Sequence, residues 1–152
     1  MRSSILQLDN RTDMATKQML ENVVKRKEKF ERFKFRHLIS VWATIGMATF
    51  YFGYLYYTVG VNYSYSFAAM FSAFVNDSNN LFFLTICVGL YGLMNLLREK
   101  REKFEKEYHA LRCEIVDRSK DLWKKEDEWA NRHLVFDMMK KEYDINLFHE
   151  NK

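Results

Sequence analysis

A chain of 152 residues has the length of one domain, and with no proline and only 5 glycines it holds little that would interrupt a helix. Its 24 Lys/Arg against 20 Asp/Glu leave a net charge of +4, with no nucleic-acid-binding motif to give that balance a target. The two cysteines, Cys87 and Cys113, stand outside any CxxC or Cys/His cluster, which excludes a zinc-stabilised or disulfide-stapled scaffold.

Residues 1–37 form a basic arm with ten Lys/Arg against five acids. A helix is expected from about Asp13, with Asp9 or Thr12 as its cap and Met14, Leu20, Val23, Val24, Phe30 and Phe33 as a partial apolar face. Within it Lys25, Arg26, Lys29, Arg32 and Arg36 are the candidate contacts for anionic lipid, although an orientation signal explains the same charges more simply. The arm has neither an apolar h-region nor a cleavage site, so the first hydrophobic segment is expected to do the membrane targeting itself.

That segment, 38–59, carries no charge and meets the requirement of about 20 apolar residues for a helix crossing a bilayer. A second uncharged segment, 81–97, is shorter but can be extended by Ser78, Asn79 and Asn80. Between them lies 60–80, whose apolar patch at 67–75 raises the alternative of a third span. Charge decides against it: 60–80 has no Lys or Arg, whereas Arg98, Lys100, Arg101, Lys103 and Lys106 follow the second segment at once. Basic residues stay on the cytoplasmic side of span ends, so two spans satisfy both flanks and three do not. The patch is then an interfacial helix or a continuation of the first one.

Helices in lipid lack a hydrophobic drive to associate, and small residues that allow close approach mark their contact side. Gly46, Gly53, Gly89 and Gly92 are accordingly the expected helix-packing positions. Asp77 is the one charged residue between 38 and 97, so neither span contains the buried ionisable groups usual in proton and ion paths.

Residues 98–152 are charged but keep an apolar stripe. Tyr108, Ile115, Leu122, Trp129 and Phe136 recur at seven-residue intervals and read as the seam of a coiled coil, heptad position a. Position d, at Phe104, Leu111, Arg118, Lys125, Arg132 and Met139, is basic in its middle, which favours an antiparallel pairing or an acidic partner over a tight symmetric dimer. Unbroken, the helix from 98 to 143 would reach about 70 Å; a fold-back within it is the alternative. The four histidines, His37, His109, His133 and His149, are scattered and form no HExxH or triad, and there is no Gly-rich phosphate loop.

The stretches LDNRTDMATKQML at 8–20, HLISVW at 37–42 and KKEYDINLFHENK at 140–152 resemble the YpbF-like family of small two-span membrane proteins from Bacillus-type bacteria. The resemblance implies a plasma-membrane location and carries over no activity and no functional residue.

The expected molecule is thus an all-α, two-span transmembrane helical hairpin with long cytoplasmic helical extensions, the C-terminal one coiled-coil-like. Its expected setting is the cell membrane, with both termini cytoplasmic. Its partners would be the lipid bilayer and either a second copy or a cytoplasmic protein, with no nucleic acid, small-molecule substrate, cofactor or metal. A structural or docking role leads, an oligomeric pore or accessory transporter subunit is the alternative, and an enzyme is not expected.

Overall fold

The computed structural model describes Ile5, Leu8 and residues 12–148, and the regular elements among 12–148 are all helical. Helix α1 runs Met14–Leu55; a π-helical turn, Tyr56–Gly60, leads into the single turn α2, Val61–Tyr63. The short α3, Phe67–Asn76, precedes the second long helix, α4, Ser78–Asp117. One more turn, α5 at Ser119–Leu122, and helix α6, Glu126–Tyr143, complete the order. Asp9 and His149 lie outside the described residues. At the start of α1 the Met14 N–H donates to Asp13 Oδ1 at 2.7 Å, so Asp13 supplies a capping oxygen there.

Two compact units divide the chain, one of Met1–Arg32 with Glu102–Lys152 and one of Phe33–Arg101. The first is built from both ends of the sequence. Leu20, Val23 and Val24 of α1, Tyr108 and Ile115 of α4, and Val135, Phe136 and Met139 of α6 share one buried core, closed by Ile5, Trp123, Ile145 and Leu147. Cross-helix contacts fix the register. Thr16 Oγ1 donates to the Leu122 carbonyl at 3.3 Å, Arg26 to the Glu107 carbonyl at 3.1 Å, and Phe30 stacks on Tyr108 with centroids 6.3 Å apart. Within this unit α1 and α4 are therefore antiparallel, and α6 returns alongside them to bring Tyr143 beside Lys27.

The seam expected from the heptads turns inward. Residues 98–143 are not one helix: the backbone leaves helical geometry at Trp123 (φ −122°, ψ 71°) and again at Lys125 (φ −79°, ψ 144°). No glycine or proline causes this. Leaving the helix buries the Trp123 indole, and the chain restarts where Glu126, Asp127 and Glu128 place three carboxylates in the first turn of α6, against the positive end of its dipole. Of the five seam residues, Tyr108, Ile115 and Phe136 are buried in the core, and Leu122 and Trp129 pack against it.

In the second unit the helical pairing is aromatic. Phe83 of α4 lies against Phe50, Tyr51 and Tyr54 of α1, with ring centroids 5.9, 6.2 and 5.4 Å away. Tyr51 Oη donates to the Asn80 carbonyl at 3.1 Å and Tyr54 Oη to Asp77 Oδ2 at 3.0 Å. From 40 to 55 the less exposed positions of α1 are 40, 41, 44, 47, 48, 51, 54 and 55, a helical stripe that leaves Gly46 and Gly53 off it. A Cβ added at Gly46, Gly53, Gly89 or Gly92 would meet nothing within 4 Å. Within the chain, bulky rings make the contact between the two helices, and the glycines have open space beside them. Ser40, Thr44, Thr49, Thr58 and Thr85 each donate a hydroxyl to a carbonyl three or four residues back, which satisfies them without a partner helix.

Among the described residues, the helical stretches Met14–Tyr63 and Ser78–Asp117 are the two long and apolar enough to cross a membrane. Helix α3, at 10 residues, is about half the length a span needs. It is a separate element rather than an extension of α1, since the chain is extended at both its ends, Ser66 and Asp77.

Candidate functional site

Three features carry unusual chemistry. The first lies at the C-terminus of α6, in the first unit. The last carbonyls of a helix lack intrahelical donors. Here Asp144 adopts the left-handed conformation (φ 53°, ψ 40°), its N–H bonding the Lys140 carbonyl, while the Ile145 N–H reaches the Met139 carbonyl; each distance is 3.0 Å. Lys27 completes the closure. Its Nζ donates to the Tyr143 carbonyl at 2.8 Å, to the Asp144 carbonyl and to Asp144 Oδ2 at 2.9 Å. The hydrogen bond from Lys27 and its charge hold the Asp144 carboxyl below the usual carboxylate range. Nearby, burial pushes the Tyr108 phenol up, against a smaller opposing effect of the Arg112 guanidinium. Sequence reasoning missed this lock; its signal was an Asp directly after a helix whose last turn holds Lys140 and Lys141.

The second feature is the basic stretch of α1. Lys25, Arg26, Lys29, Arg32 and Arg36 are all exposed, as a lipid- or partner-facing set requires. They are not equivalent. Lys25 lies 3.7 Å from Glu21, Arg26 is tied to the Glu107 carbonyl, and Lys29 sits 4.2 Å above the Phe104 ring. Arg36, in the other unit, lies over Phe33 at 5.6 Å.

The third is a polar cavity of about 630 Å³ in the second unit, formed where the π-helical turn, α3 and the start of α4 converge. Asp77, Asn80, Asn76, Ser72, Thr58 and Tyr63 line it. An apolar groove lies on the other side of α3, between Phe67, Met70, Phe71 and Phe74 and the Phe52, Leu55 and Tyr56 side chains. The sequence reading passed over the cavity because its residues come from the end of the first apolar segment and from separate stretches of 60–80. Among the described residues no three His, Cys, Asp or Glu side chains are grouped to hold a metal. Cys87 and Cys113 are free thiols.

Residues 19–150 match a family described as "Protein of unknown function (DUF2663)". The chain is also 37% identical over 146 residues to the protein of Bacillus subtilis (strain 168) named "Uncharacterized protein YpbF", covering 96% of both sequences. No solved structure matches.

Proposed function

The chain belongs to the DUF2663 family, and on that footing we propose that it is a non-enzymatic membrane protein whose folded helical unit docks a cytoplasmic partner or a second copy. In this reading α1 crosses the bilayer over 38–59 and α4 over 81–97, residues 60–80 lie outside, and both termini are cytoplasmic.

The observation that carries the proposal is the contrast between the two units. Most large apolar side chains of the first unit are buried in its core or packed against it, with Met14, Leu134 and Phe148 exposed. In the second, Trp42 is 68% exposed, Phe52 69% and Val88 64%, along with Phe50, Tyr57, Phe82 and Leu96. Bare apolar patches of this extent are foreign to a surface in water, whereas hydrocarbon covers them at no cost. The orientation rests on the basic flanks at 1–37 and 98–106, set against a loop without Lys or Arg. The inward hydroxyl bonds also suit a solvent that offers no hydrogen bonds.

Self-association, where it occurs, would run through the outward glycine faces at Gly46, Gly53, Gly89 and Gly92 rather than through the Tyr108–Phe136 heptads, whose side chains are occupied. Such clustering is also the route to the second reading, an oligomeric pore or accessory transporter subunit. Lys25, Arg26, Lys29, Arg32 and Arg36 would contact anionic headgroups on the cytoplasmic side.

Thiol labelling in intact cells tests the topology. In a background of Cys87→Ser and Cys113→Ser, Tyr65→Cys should react with a membrane-impermeant maleimide, and Lys120→Cys only after permeabilisation. Extraction of the chain by alkaline carbonate, or the reverse labelling pattern, would refute the proposal.

A further inference from the structure

Helix α3 sorts its side chains by size and polarity. At about 100° per residue, Phe67, Met70, Phe71, Phe74 and Val75 fall within one half of the helical wheel. Ala68, Ala69, Ser72, Ala73 and Asn76 fill the other half. Each half has its own surroundings. Ser72 and Asn76 line the polar cavity with Asp77, while Phe67, Met70, Phe71 and Phe74 wall the apolar groove against Phe52 and Tyr56 of the first apolar segment.

The groove offers almost nothing to hydrogen-bond. Among the side chains lining it, the Tyr56 hydroxyl is the one polar group. Its rim is bare, with Phe52, Tyr56, Phe67 and Phe71 all exposed. Phe52 and Tyr56 carry the groove directly into the exposed apolar surface of 38–59, so whatever covers that surface also reaches the groove. Size narrows the choice of occupant. The groove has a volume of about 420 Å³. From Phe67 to Phe74 it follows about 10 Å of α3, and a helix about 10–12 Å across would fill roughly twice that volume over the same length. A hydrocarbon chain is narrower and has no polar groups to satisfy. A short helix with one bulky apolar side and one small, polar side is also the form that lies at the boundary between headgroups and acyl chains.

We propose that the groove beside α3 binds one acyl chain of an outer-leaflet phospholipid, with α3 lying along the hydrocarbon boundary and its Ser72–Asn76 side turned to water. The proposal rests on the two-span reading and adds to it a lipid site.

The test uses the full chain with Cys87→Ser and Cys113→Ser in phosphatidylcholine vesicles, carrying the fluorophore NBD on one introduced cysteine. Phe71→Cys reports the groove, Asn76→Cys the polar side of α3 and Val88→Cys the exposed apolar surface of α4. Phosphatidylcholine bearing a nitroxide on its acyl chain should quench the labels at 71 and 88, and aqueous cobalt the label at 76. Gly60→Leu and Met70→Trp each add bulk inside the groove, and each should weaken lipid quenching at 71 while leaving it unchanged at 88. A Cβ added at Gly60 meets Tyr56 Cδ2 at 3.6 Å, an ordinary contact that the fold accommodates. Lipid quenching at 88 with cobalt quenching at 71 would overturn the proposal and leave the membrane reading standing. Absence of lipid quenching at both positions would remove both. A label at 71 shielded from lipid and cobalt alike would mean a protein occupant, such as a second copy. Lipid quenching at 71 that neither bulky residue weakens would mean hydrocarbon passing over the groove without entering it. Either result overturns the proposal.

Discussion

Replacing Ile115 by alanine separates an internal core from a displayed coiled-coil seam. The Ile115 side chain is 0% exposed and lies in the cluster that joins α1, α4 and α6. Truncating a buried isoleucine removes its transfer free energy and leaves a cavity, together about 3 kcal/mol, or a change of about 150-fold in the folding equilibrium. Leu134 on α6 is the control: it is equally apolar but 57% exposed, and its alanine variant should stay within about 0.5 kcal/mol. Denaturant unfolding of the full chain in detergent, followed by tryptophan fluorescence, reads the difference, since Trp123 packs on Phe136 in the same cluster with centroids 5.5 Å apart. The loss for I115A should not depend on protein concentration, because the contacts are made within one chain. A midpoint that moves with concentration, or a cost for I115A no larger than for L134A, would refute the reasoning.

Three further outcomes follow from the geometry. Asp144 titrates below its ordinary value in the folded chain, so its contribution to stability is present above the unfolded carboxylate range and is lost as pH falls through the folded value. Unfolding midpoints measured from about pH 5 down to about pH 2 should therefore fall, and the fall should be shallower in D144N. Lys27→Met leaves the end of α6 without its cation and should cost about 1 kcal/mol in the same unfolding assay, at neutral pH and low salt. A Cβ added at Gly53 meets nothing within 4 Å, so Gly53→Leu should not lower the stability of the single chain; the state read by crosslinking in membranes should shift toward monomer if the glycine faces join copies.

The long helices were legible because nothing in the sequence opposes them, and the change from apolar to charged composition near 38 and 97 is abrupt. The contact face of the second unit was not. Helical periodicity is read from the contrast between apolar and polar faces, and in 38–59 both faces are apolar, so nothing in the pattern singles out Tyr51 and Tyr54 as the contact. In the first unit the seven-residue spacing was real, yet it served three packed segments instead of one extended helix. The misfit at position d was the clue. Arg118 marks the end of α4 and Lys125 the start of α6, where the expected heptad has no helix to continue it. Arg132 then lays its guanidinium 3.5 Å over the Trp129 ring and needs no acidic partner. The polar cavity stayed hidden because Thr58, Ser72, Asp77 and Asn80 come together only once α3 folds back beside the π-helical turn.

The first unit draws its core from residues 5–30 and again from 108–147, so synthesis supplies its two parts at different times. Leu20, Val23 and Val24 leave the ribosome long before Met139, Ile145 and Leu147 exist to cover them. The apolar face of α1 in this unit stays bare until residues 33–101 and then α6 have been made. Most of the core contacts are therefore non-local, and closing the core waits for α6 and the segment after it. A chain stalled or cut before α6 would present an unclosed apolar surface, a built-in mark of incompleteness that proteases and chaperones can read.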